Sequence, residues 1–446
     1  MQTDKTLRVR HENTPEQFAA VVQAITAVGG NIISAATHHV GRHHIYRDIT
    51  VSVRTEADVE ALLTVVKLLP GVSVETVIDE VLRMHEGGKL VHVGRVPIRT
   101  QAEMREVYTP GVAKVCREIQ HDPGLARRYT NAGNTVAVIS NGSRVLGLGD
   151  IGPLASLPVM EAKAMFYGQL VDLNAVPIVL DVAGVDEFVE TVVRLAPGFA
   201  GIHLEDIRSP DCIEIERRLI ERLPIPVMHD DQHGTAVVAL AAANNLLRAA
   251  ARAPAEMVFA QVGLGAAGLA VASLAQAAGF RRVIGYDPGD DACRAAARRG
   301  VQPVTFEDCL SNGDVLCLTT GRPGLLKPSM VRRGQIILAL SNPLPEIEPV
   351  DALKAGASGA LDGRTVNNLL GYPGLFKGAI SSGARGVSVP MRLRAASVIA
   401  QCAEGDDVLP DPLSRKVHES VARAVASVAS DPHSTLAAGG AFADDA

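Results

Sequence analysis

Two short acidic stretches contain the residues best suited to chemistry. Glu205 and Asp206 follow one short apolar run, and Asp230 and Asp231 follow another. Each stretch is predicted to lie at the carboxyl end of a buried strand, where α/β enzymes place ligand-binding residues. Because unpaired carboxylates are costly to bury, a cation is expected beside them. A site formed by Glu205, Asp206 and Asp231 offers only oxygen ligands, which favours Mg²⁺ or Mn²⁺ over zinc.

The same acidic residues have a simpler interpretation. Acidic side chains are common at helix starts, so they could cap the helices that follow, or pair with arginines such as Arg208. Taken alone, the two stretches do not decide between a metal site and helix capping.

Four further motifs precede the acidic stretches in a fixed order. They are Tyr-Thr-Pro-Gly-Val at 108–112, Asn-Ala-Gly-Asn at 131–134, Asn-Gly-Ser-Arg-Val-Leu-Gly-Leu-Gly-Asp-Ile-Gly at 141–152, and Leu-Pro-Val-Met-Glu-Ala-Lys at 157–163. Together with the acidic residues they resemble the malic enzymes over residues 90–390. The resemblance implies oxidative decarboxylation of L-malate to pyruvate and CO₂, with reduction of NAD and with a divalent metal.

The resemblance also implies roles for three of these residues. Lys163 matches the catalytic general base, Tyr108 the general acid, and Arg144 a residue that binds the substrate carboxylate. A nearby cation and burial would lower the pKa of Lys163, as a base requires. By residue type alone, Tyr108 could be a core aromatic, Lys163 a surface residue, and Arg144 a partner of Asp150.

Three asparagines further along the chain are also implicated by the resemblance. Asn342 and Asn368 are implied to contact substrate, with Asn367 nearby, and Asn342 is also implied to contact the cofactor. Asparagine in such turns commonly sets turn geometry instead. The sequence departs from the family before Asn367, because residues 362–365 replace the usual Pro-Asn-Gln run.

A dinucleotide-binding fingerprint begins after a predicted strand at 257–262. Its glycine-rich turn would let the backbone approach a pyrophosphate at a helix N-terminus; the turn consists of Gly263, Gly265, Ala266, Ala267 and Gly268. Asp287 ends the next predicted strand and could bind the ribose hydroxyls, which favours NAD. NADP stays possible because Arg281, Arg282 and Arg294 could offset the repulsion of a 2′-phosphate.

The elements predicted around these residues give an α/β protein of several domains. Residues 86–250 are predicted to form an α/β catalytic and metal domain, with a strand at 144–148 and a helix opened by Pro158. Residues 251–390 are predicted to form a doubly wound (Rossmann) NAD-binding domain. Residues 391–446 are predicted to form helices that pack back on the catalytic domain, followed by a disordered tail.

The first 85 residues are predicted to be a separate ferredoxin-like domain of order βαββαβ. It resembles the ACT domain, which implies regulation by an amino acid or similar small metabolite. The alternative is a dimerisation module without a ligand. A cluster of histidines flanks the turn between its middle strands and is interpreted as a solvated hairpin end, not a metal site; the cluster is His38, His39, His43 and His44.

Composition limits the possible partners. The chain of 446 residues is 47% hydrophobic and has a formal net charge of −6, so neither nucleic acid nor an anionic membrane is expected as a partner. Its polar first residues lead us to expect no signal segment, and it contains no run of about 18 apolar residues that could span a bilayer. Six scattered cysteines indicate reduced core residues in a cytoplasmic protein. A homodimer or higher oligomer is expected from both resemblances.

Two other functions fit parts of the same pattern. A malolactic-type enzyme, which resembles the same family, would keep NAD bound and form lactate. A regulatory protein could bind a metabolite through residues 1–85 and carry a silent catalytic site, although Tyr108, Lys163 and the acidic residues argue against this.

Overall fold

The protein is described by a computed structural model that covers residues 3–182 and 184–429. The tail predicted to be disordered lies, from residue 430 onward, outside the described residues. The chain divides into two compact units, Met1–Val91 and His92–Ala446.

The first unit is a four-stranded antiparallel sheet with two helices on one face. Its elements are β1 (Thr3–Glu12), α1 (Pro15–Ala27), β2 (Asn31–Val40), β3 (His44–Val53), α2 (Glu56–Lys67) and β4 (Ser73–Asp79), in the sheet order β2-β3-β1-β4. Thr14 and Thr55 cap the two helices with their side chains, as their position before an amphipathic run predicts. The βαββαβ order is therefore as predicted. The last strand ends at Asp79, because the Asp79 side chain caps a further helix, α3 (Glu80–His85).

The second unit begins with helices and then forms a small parallel sheet. The helices are α4 (Gln101–Val107), α5 (Val112–His121) and α6 (Ala126–Tyr129). The sheet part comprises β5 (Thr135–Ser140), α7 (Gly152–Val171), β6 (Asn174–Val179), α8 (Val185–Leu195), β7 (Gly201–Leu204), α9 (Asp211–Arg222), β8 (Val227–His229) and α10 (Asp230–Ala249). The strand order is β6-β5-β7-β8, and every pairing is parallel.

Two local predictions in this region were wrong. Residues 144–148 form a loop with only an isolated bridge between Val145 and Gly149, not a strand. Leu146 and Gly147 there have φ of 46° and 82°, which a strand cannot accommodate. Helix α7 begins at Gly152, not near Pro158, because Pro153 already occupies its first turn, where a proline is tolerated.

A six-stranded parallel sheet follows, and it is doubly wound as predicted. Its elements are β9 (Val258–Val262), α11 (Ala266–Ala277), β10 (Arg282–Tyr286), α12 (Asp290–Arg298), β11 (Gln302–Pro303), α13 (Phe306–Asn312), β12 (Val315–Leu318), β13 (Ile336–Ala339), α14 (Pro349–Lys354) and β14 (Gly359–Asp362). The order β11-β10-β9-β12-β13-β14 places the first strand at the centre, where the winding direction changes. Strand β14, which has four residues, was not predicted.

Three helices complete the unit, α15 (Tyr372–Ser381), α16 (Val389–Gln401) and α17 (Arg415–Ala429). Helix α16 packs on α10, and α17 packs on α7 and α15. The helices after residue 390 therefore pack against helices of the second unit, among them α7 and α10 of its small parallel sheet.

No helix among the described residues is both long enough and apolar enough to cross a membrane. All six cysteines are free, and Cys212, Cys309 and Cys317 are buried. Cys116 is exposed, in contrast to the prediction that the cysteines are core residues.

Candidate active site

The carboxyl ends of β7 and β8 bring the two acidic stretches together. These strands pair in parallel, so the residues that follow them meet at one edge of the sheet. The backbone N–H of Asp206 donates to Asp231 Oδ2 at 3.0 Å. Carboxylate oxygens of Glu205, Asp206 and Asp231 all lie within 4.8 Å of one another. The three predicted metal ligands therefore form one cluster.

This cluster lacks sufficient positive charge of its own. Glu205 and Asp206 are buried, and burial, together with neighbouring carboxylates, raises the pKa of Glu205 to about 7 and that of Asp206 to about 9. Asp206 Oδ2 is buried without a hydrogen-bond partner among the described residues. An orphaned oxygen in an all-oxygen donor set fits a hard divalent cation such as Mg²⁺ or Mn²⁺.

The backbone at Asp206 is also strained. Its φ is 53°, in the left-handed region that residues other than glycine rarely adopt. Strain of this kind costs on the order of 1–3 kcal/mol and persists at functional sites where the surroundings enforce it. The Arg144 N–H holds the Asp206 carbonyl at 3.1 Å and so helps to enforce this conformation.

Lys163 projects from α7 into the same cluster. Its Nζ lies 2.5 Å from Asp230 Oδ2 and 3.0 Å from Glu205 Oε1, and it donates to Asn368 Oδ1 at 3.2 Å. Burial lowers the pKa of Lys163, but Asp230 and Glu205 outweigh burial and hold this pKa well above its usual range. The protein's own groups thus shift the pKa of Lys163 in the opposite direction to the one predicted. The ammonium form partly neutralises the buried acids.

Asp230 and three aromatic residues belong to this site but were not among the predicted site residues. Asp230 is fully buried, and burial raises its pKa to about 6 despite Lys163. The sequence could have indicated Asp230, because it directly precedes the predicted metal ligand Asp231. His203 contacts Glu205, and alternation along β7 could have indicated this, because residues two apart share a face of a strand. Tyr167 and Tyr372 carried no comparable signal in the sequence.

The asparagines occupy different positions around Lys163. Asn368 contacts Lys163 directly, which supports its predicted place in the substrate site. The side chain of Asn367 accepts from the Leu369 N–H at 2.9 Å, so it sets the geometry of the turn. Asn342 is exposed after β13, and a Cβ added to Gly147 would lie 3.0 Å from its carbonyl oxygen. The loop that carries Arg144 therefore approaches the end of the six-stranded sheet.

Arg144 is exposed, and no ion pair joins it to another residue in the described part of the chain. Asp150, the alternative partner, instead accepts from the Gly152 N–H at 3.3 Å. The guanidinium is therefore available for an anionic ligand. Its planar group suits a bidentate contact with a carboxylate.

Tyr108 is not brought to Lys163 within this chain. It ends α4, its residue is 69% exposed, and its hydroxyl makes no hydrogen bond to any described residue. Its predicted role as general acid stays a prediction.

The glycine-rich turn has the geometry of a phosphate-binding loop. Gly263 has a φ of +88°, and a Cβ on Gly268 would lie 1.9 Å from the Gly263 carbonyl oxygen. The first position therefore needs a left-handed backbone and the last needs the absence of a side chain. Asp287 accepts from the backbone N–H groups of Leu264 and Gly289, each at 2.8 Å, so its carboxylate lies beside the turn. Gly265, Ala266 and Ala267 lead from the turn into α11.

Comparisons with known proteins agree with this geometry. Residues 88–220 match the family described as malic enzyme, N-terminal domain. The chain is 47% identical over 423 residues to "NAD-dependent malic enzyme 1" of Bacillus subtilis, covering 94% of this chain and 96% of that protein. It is 38% identical over 449 residues to "NAD-dependent malic enzyme" of Geobacillus stearothermophilus, covering 95% and 94%. A crystal structure of malic enzyme from Pyrococcus horikoshii matches with a TM-score of 0.73 and 39% identity, over 78% of this chain and 90% of that one.

Proposed function

The chain belongs to the malic enzyme family, and from this premise we propose that it converts L-malate to pyruvate and CO₂ with reduction of NAD and a requirement for Mg²⁺ or Mn²⁺. The observation that carries the proposal is the position of Lys163. Its Nζ is buried between Asp230 and Glu205, next to Asp206, whose backbone is strained and whose Oδ2 has no hydrogen-bond partner among the described residues.

The protein's own residues provide the acid–base chemistry and the substrate contacts. Lys163 acts as the base in its neutral form, which a cation at Glu205, Asp206 and Asp231 would favour by lowering its pKa. It takes the proton of the malate 2-hydroxyl, and Asp230 stabilises the ammonium that then forms. Arg144 binds a substrate carboxylate, while Asn342 and Asn368 orient the substrate beside Lys163. A divalent cation held by Glu205, Asp206 and Asp231 would acidify that hydroxyl and stabilise the negative charge left when CO₂ departs.

The preference for NAD is supported by Asp287. Its carboxylate lies at the glycine-rich turn, where it would accept from ribose hydroxyls and repel a 2′-phosphate. Arg294, which could offset this repulsion, is already paired with Asp291. NAD would supply the hydride acceptor when bound to the turn.

The reaction and the cofactor are tested together by initial rates of absorbance at the NADH band. With L-malate and Mn²⁺, we expect NADH and pyruvate in equal amounts and a faster reaction with NAD than with NADP. A faster NADP reaction would overturn the role of Asp287 but keep the chemistry. Lactate in place of pyruvate, without free NADH, would establish the malolactic alternative. Folded protein that is silent with both cofactors would favour the regulatory protein.

Tyr108, the proposed general acid, is exposed in a single chain. We expect a second copy of the chain to shield it from water. Tyr108 belongs to a stretch of chain that is rich in exposed apolar side chains; they are Val93, Val96, Ile98, Met104 and Val107 together with Tyr108. Met104, Val107 and Tyr108 are three and four residues apart at the end of α4 and so share one face of it. Exposed apolar side chains that gather on one surface are typical of an interface. We therefore propose a homodimer or higher oligomer that buries this surface.

Replacing both Val93 and Val107 by aspartate is expected to dissociate the oligomer and to abolish turnover, because buried unpaired charges are costly. Sedimentation velocity measures the first effect and NADH formation the second. The exposed Lys114 of α5, replaced by aspartate, is the control. A wild-type chain that sediments as a monomer at assay concentration would contradict the proposal.

The first unit is proposed to be an ACT-like regulatory domain that binds an amino acid or similar metabolite. Support comes from its βαββαβ order and from the two Bacillus and Geobacillus relatives, whose alignments cover more of the chain than the second unit alone. A dimerisation module without a ligand stays the alternative.

A chain lacking residues 1–91 is expected to keep its basal turnover and to lose any response to a metabolite. Amino acids and dicarboxylates are screened first on the full chain for a change in the malate concentration at half-maximal rate. The same compounds are then tested on the truncated chain. An undiminished response after truncation would place regulation elsewhere.

A further inference from the structure

Three buried side chains form a hydrogen-bonded row that leads away from the acidic cluster. The Tyr167 hydroxyl lies 2.8 Å from His203 Nδ1, and His203 Nε2 lies 2.6 Å from Glu205 Oε2. Tyr167 and His203 are both completely buried. Neither residue has a part in the reaction proposed above, although the row ends on a proposed metal ligand.

Aromatic rings fix the plane of the His203 imidazole. Phe376 stacks against it with ring centroids 5.7 Å apart and planes inclined by 14°. Tyr372 and Tyr167 meet it edge-on, at 5.1 and 5.8 Å. Rotation of the imidazole would break these contacts, so its two nitrogens are held in line with Tyr167 and Glu205.

The hydrogen bonds then determine where the protons lie. A neutral imidazole has one donor nitrogen and one acceptor nitrogen. If Tyr167 donates to Nδ1, then Nε2–H donates to an ionised Glu205, and every polar hydrogen has an acceptor. In the reverse arrangement Glu205 carries a proton, and the buried Tyr167 hydroxyl hydrogen has no acceptor among the described residues. Leaving a buried donor unsatisfied is costly, so the first arrangement is favoured.

We propose that Tyr167 and His203 are positioning residues for Glu205, which they hold in one orientation so that it can bind the divalent cation. This inference rests on the metal site of the proposed function. Oε2 of Glu205 is occupied by His203, while Oε1 faces Lys163 at 3.0 Å. Partners of this kind orient metal ligands and set their basicity, and losing one commonly costs about 10–100-fold in metal affinity.

His203 could instead be a metal ligand itself, because its ring nitrogen lies close to oxygens of Glu205 and Asp230. Both of its nitrogens are already engaged, however, one by Tyr167 and the other by Glu205. A positioning role therefore uses all of the observed contacts, whereas direct ligation would require the hydrogen bond to Glu205 to break.

Binding of Mn²⁺ to the full chain tests the proposal without any assay of turnover. Free Mn²⁺ is measured by electron paramagnetic resonance, and Tyr167→Phe is expected to weaken Mn²⁺ binding about 10-fold. Tyr372→Phe is the matched control, because it removes a hydroxyl from a ring only 5.1 Å away. That hydroxyl donates to the Lys163 carbonyl and does not contact Glu205, so less than about a twofold change is expected. Equal losses in the two variants would overturn the proposal.

A double-mutant cycle tests whether Tyr167 acts through His203. His203→Phe should weaken Mn²⁺ binding on its own, and adding Tyr167→Phe to it should cause no further loss. A full additional loss would show that Tyr167 acts by another route. NADH affinity, read from NADH fluorescence in a chain without tryptophan, should stay unchanged in all variants that fold.

Two further outcomes separate this inference from the proposed function. A wild-type chain that does not bind Mn²⁺ would refute the metal site itself. Tight wild-type binding that Tyr167→Phe leaves unaltered would refute only the positioning role. If the variants do not fold, ¹⁵N-histidine spectra of the wild-type chain decide the matter: His203 should be the tautomer protonated at Nε2, and protonation at Nδ1 alone would contradict the proposal.

Discussion

Replacing Lys163 by methionine is expected to lower kcat for malate-dependent NADH formation by about 10²–10⁴-fold, the usual contribution of a positioned general base. Methionine retains most of the length and apolar volume of the lysine stem but cannot accept a proton. Lys114→Met, on the exposed surface of α5, is the matched control and should keep the full rate.

The same variant is also expected to be less stable. Lys163 is the cation that faces both Asp230 and Glu205, and removing one partner of a buried pair costs about 3–5 kcal/mol. NADH binding, which depends on the other sheet, shows whether the fold survives. A folded Lys163→Met chain that retains the wild-type rate would exclude Lys163 as the base.

Removing the divalent metal is the second change that should lower turnover strongly. Chelation is expected to abolish turnover, with recovery on adding Mn²⁺ or Mg²⁺. Asp206→Asn should raise the metal Kd by about 100-fold, because a direct ligand loses its charge. Loss of a residue that only contacts a metal ligand commonly costs about 10–100-fold, so the upper end of that range is expected here. Asparagine tolerates the left-handed backbone at this position, so the variant tests charge and not strain. Glu118→Gln, an exposed change on α5, is the control.

The stability of the chelated protein should depend on pH in a defined direction. The pKa of Asp206 is raised to about 9 and that of Glu205 to about 7, mainly by burial, so the folded chain binds protons that the unfolded chain releases. Stability from these groups is present below about pH 4 and is lost as pH rises toward about 9. Between about pH 7 and 9, where ordinary carboxylates no longer titrate, the thermal midpoint in chelator should therefore fall, and fall less in Asp206→Asn. A midpoint that rises between pH 7 and 9 would contradict the assignment.

The large elements and the glycine-rich turn followed from local sequence. Buried apolar runs such as Thr135–Ser140 and Arg282–Tyr286 predicted strands because their neighbours contain turn residues. Gly268 was recognisable because its spacing from Gly263 and Asp287 reflects the close packing of a helix on a strand. The loop at 144–148 was misjudged, since its apolar residues suggested a strand although Leu146 and Gly147 adopt positive φ.

Contacts between distant parts of the chain could not be predicted in the same way. Lys163 and Asp230 are separated by 67 residues, and nothing local to either of them specifies the other. The raised pKa of Lys163 depends on that pairing, so the direction of this pKa shift could not be predicted from the sequence either. The row from Tyr167 through His203 requires α7 and β7 to be packed together before it exists.

The unusual backbone of Asp206 also predicts which residues would change first in a descendant that is no longer selected for activity. Lys163 and Asp230 stabilise each other, so a descendant that had lost its activity would still be under pressure to keep both. Asp206 is different, because the fold gains nothing from a strained backbone and a buried carboxylate whose Oδ2 lacks a hydrogen-bond partner among the described residues. Among inactive descendants this position should be the first to change, which makes Asp206 a better marker of retained chemistry than the lysine.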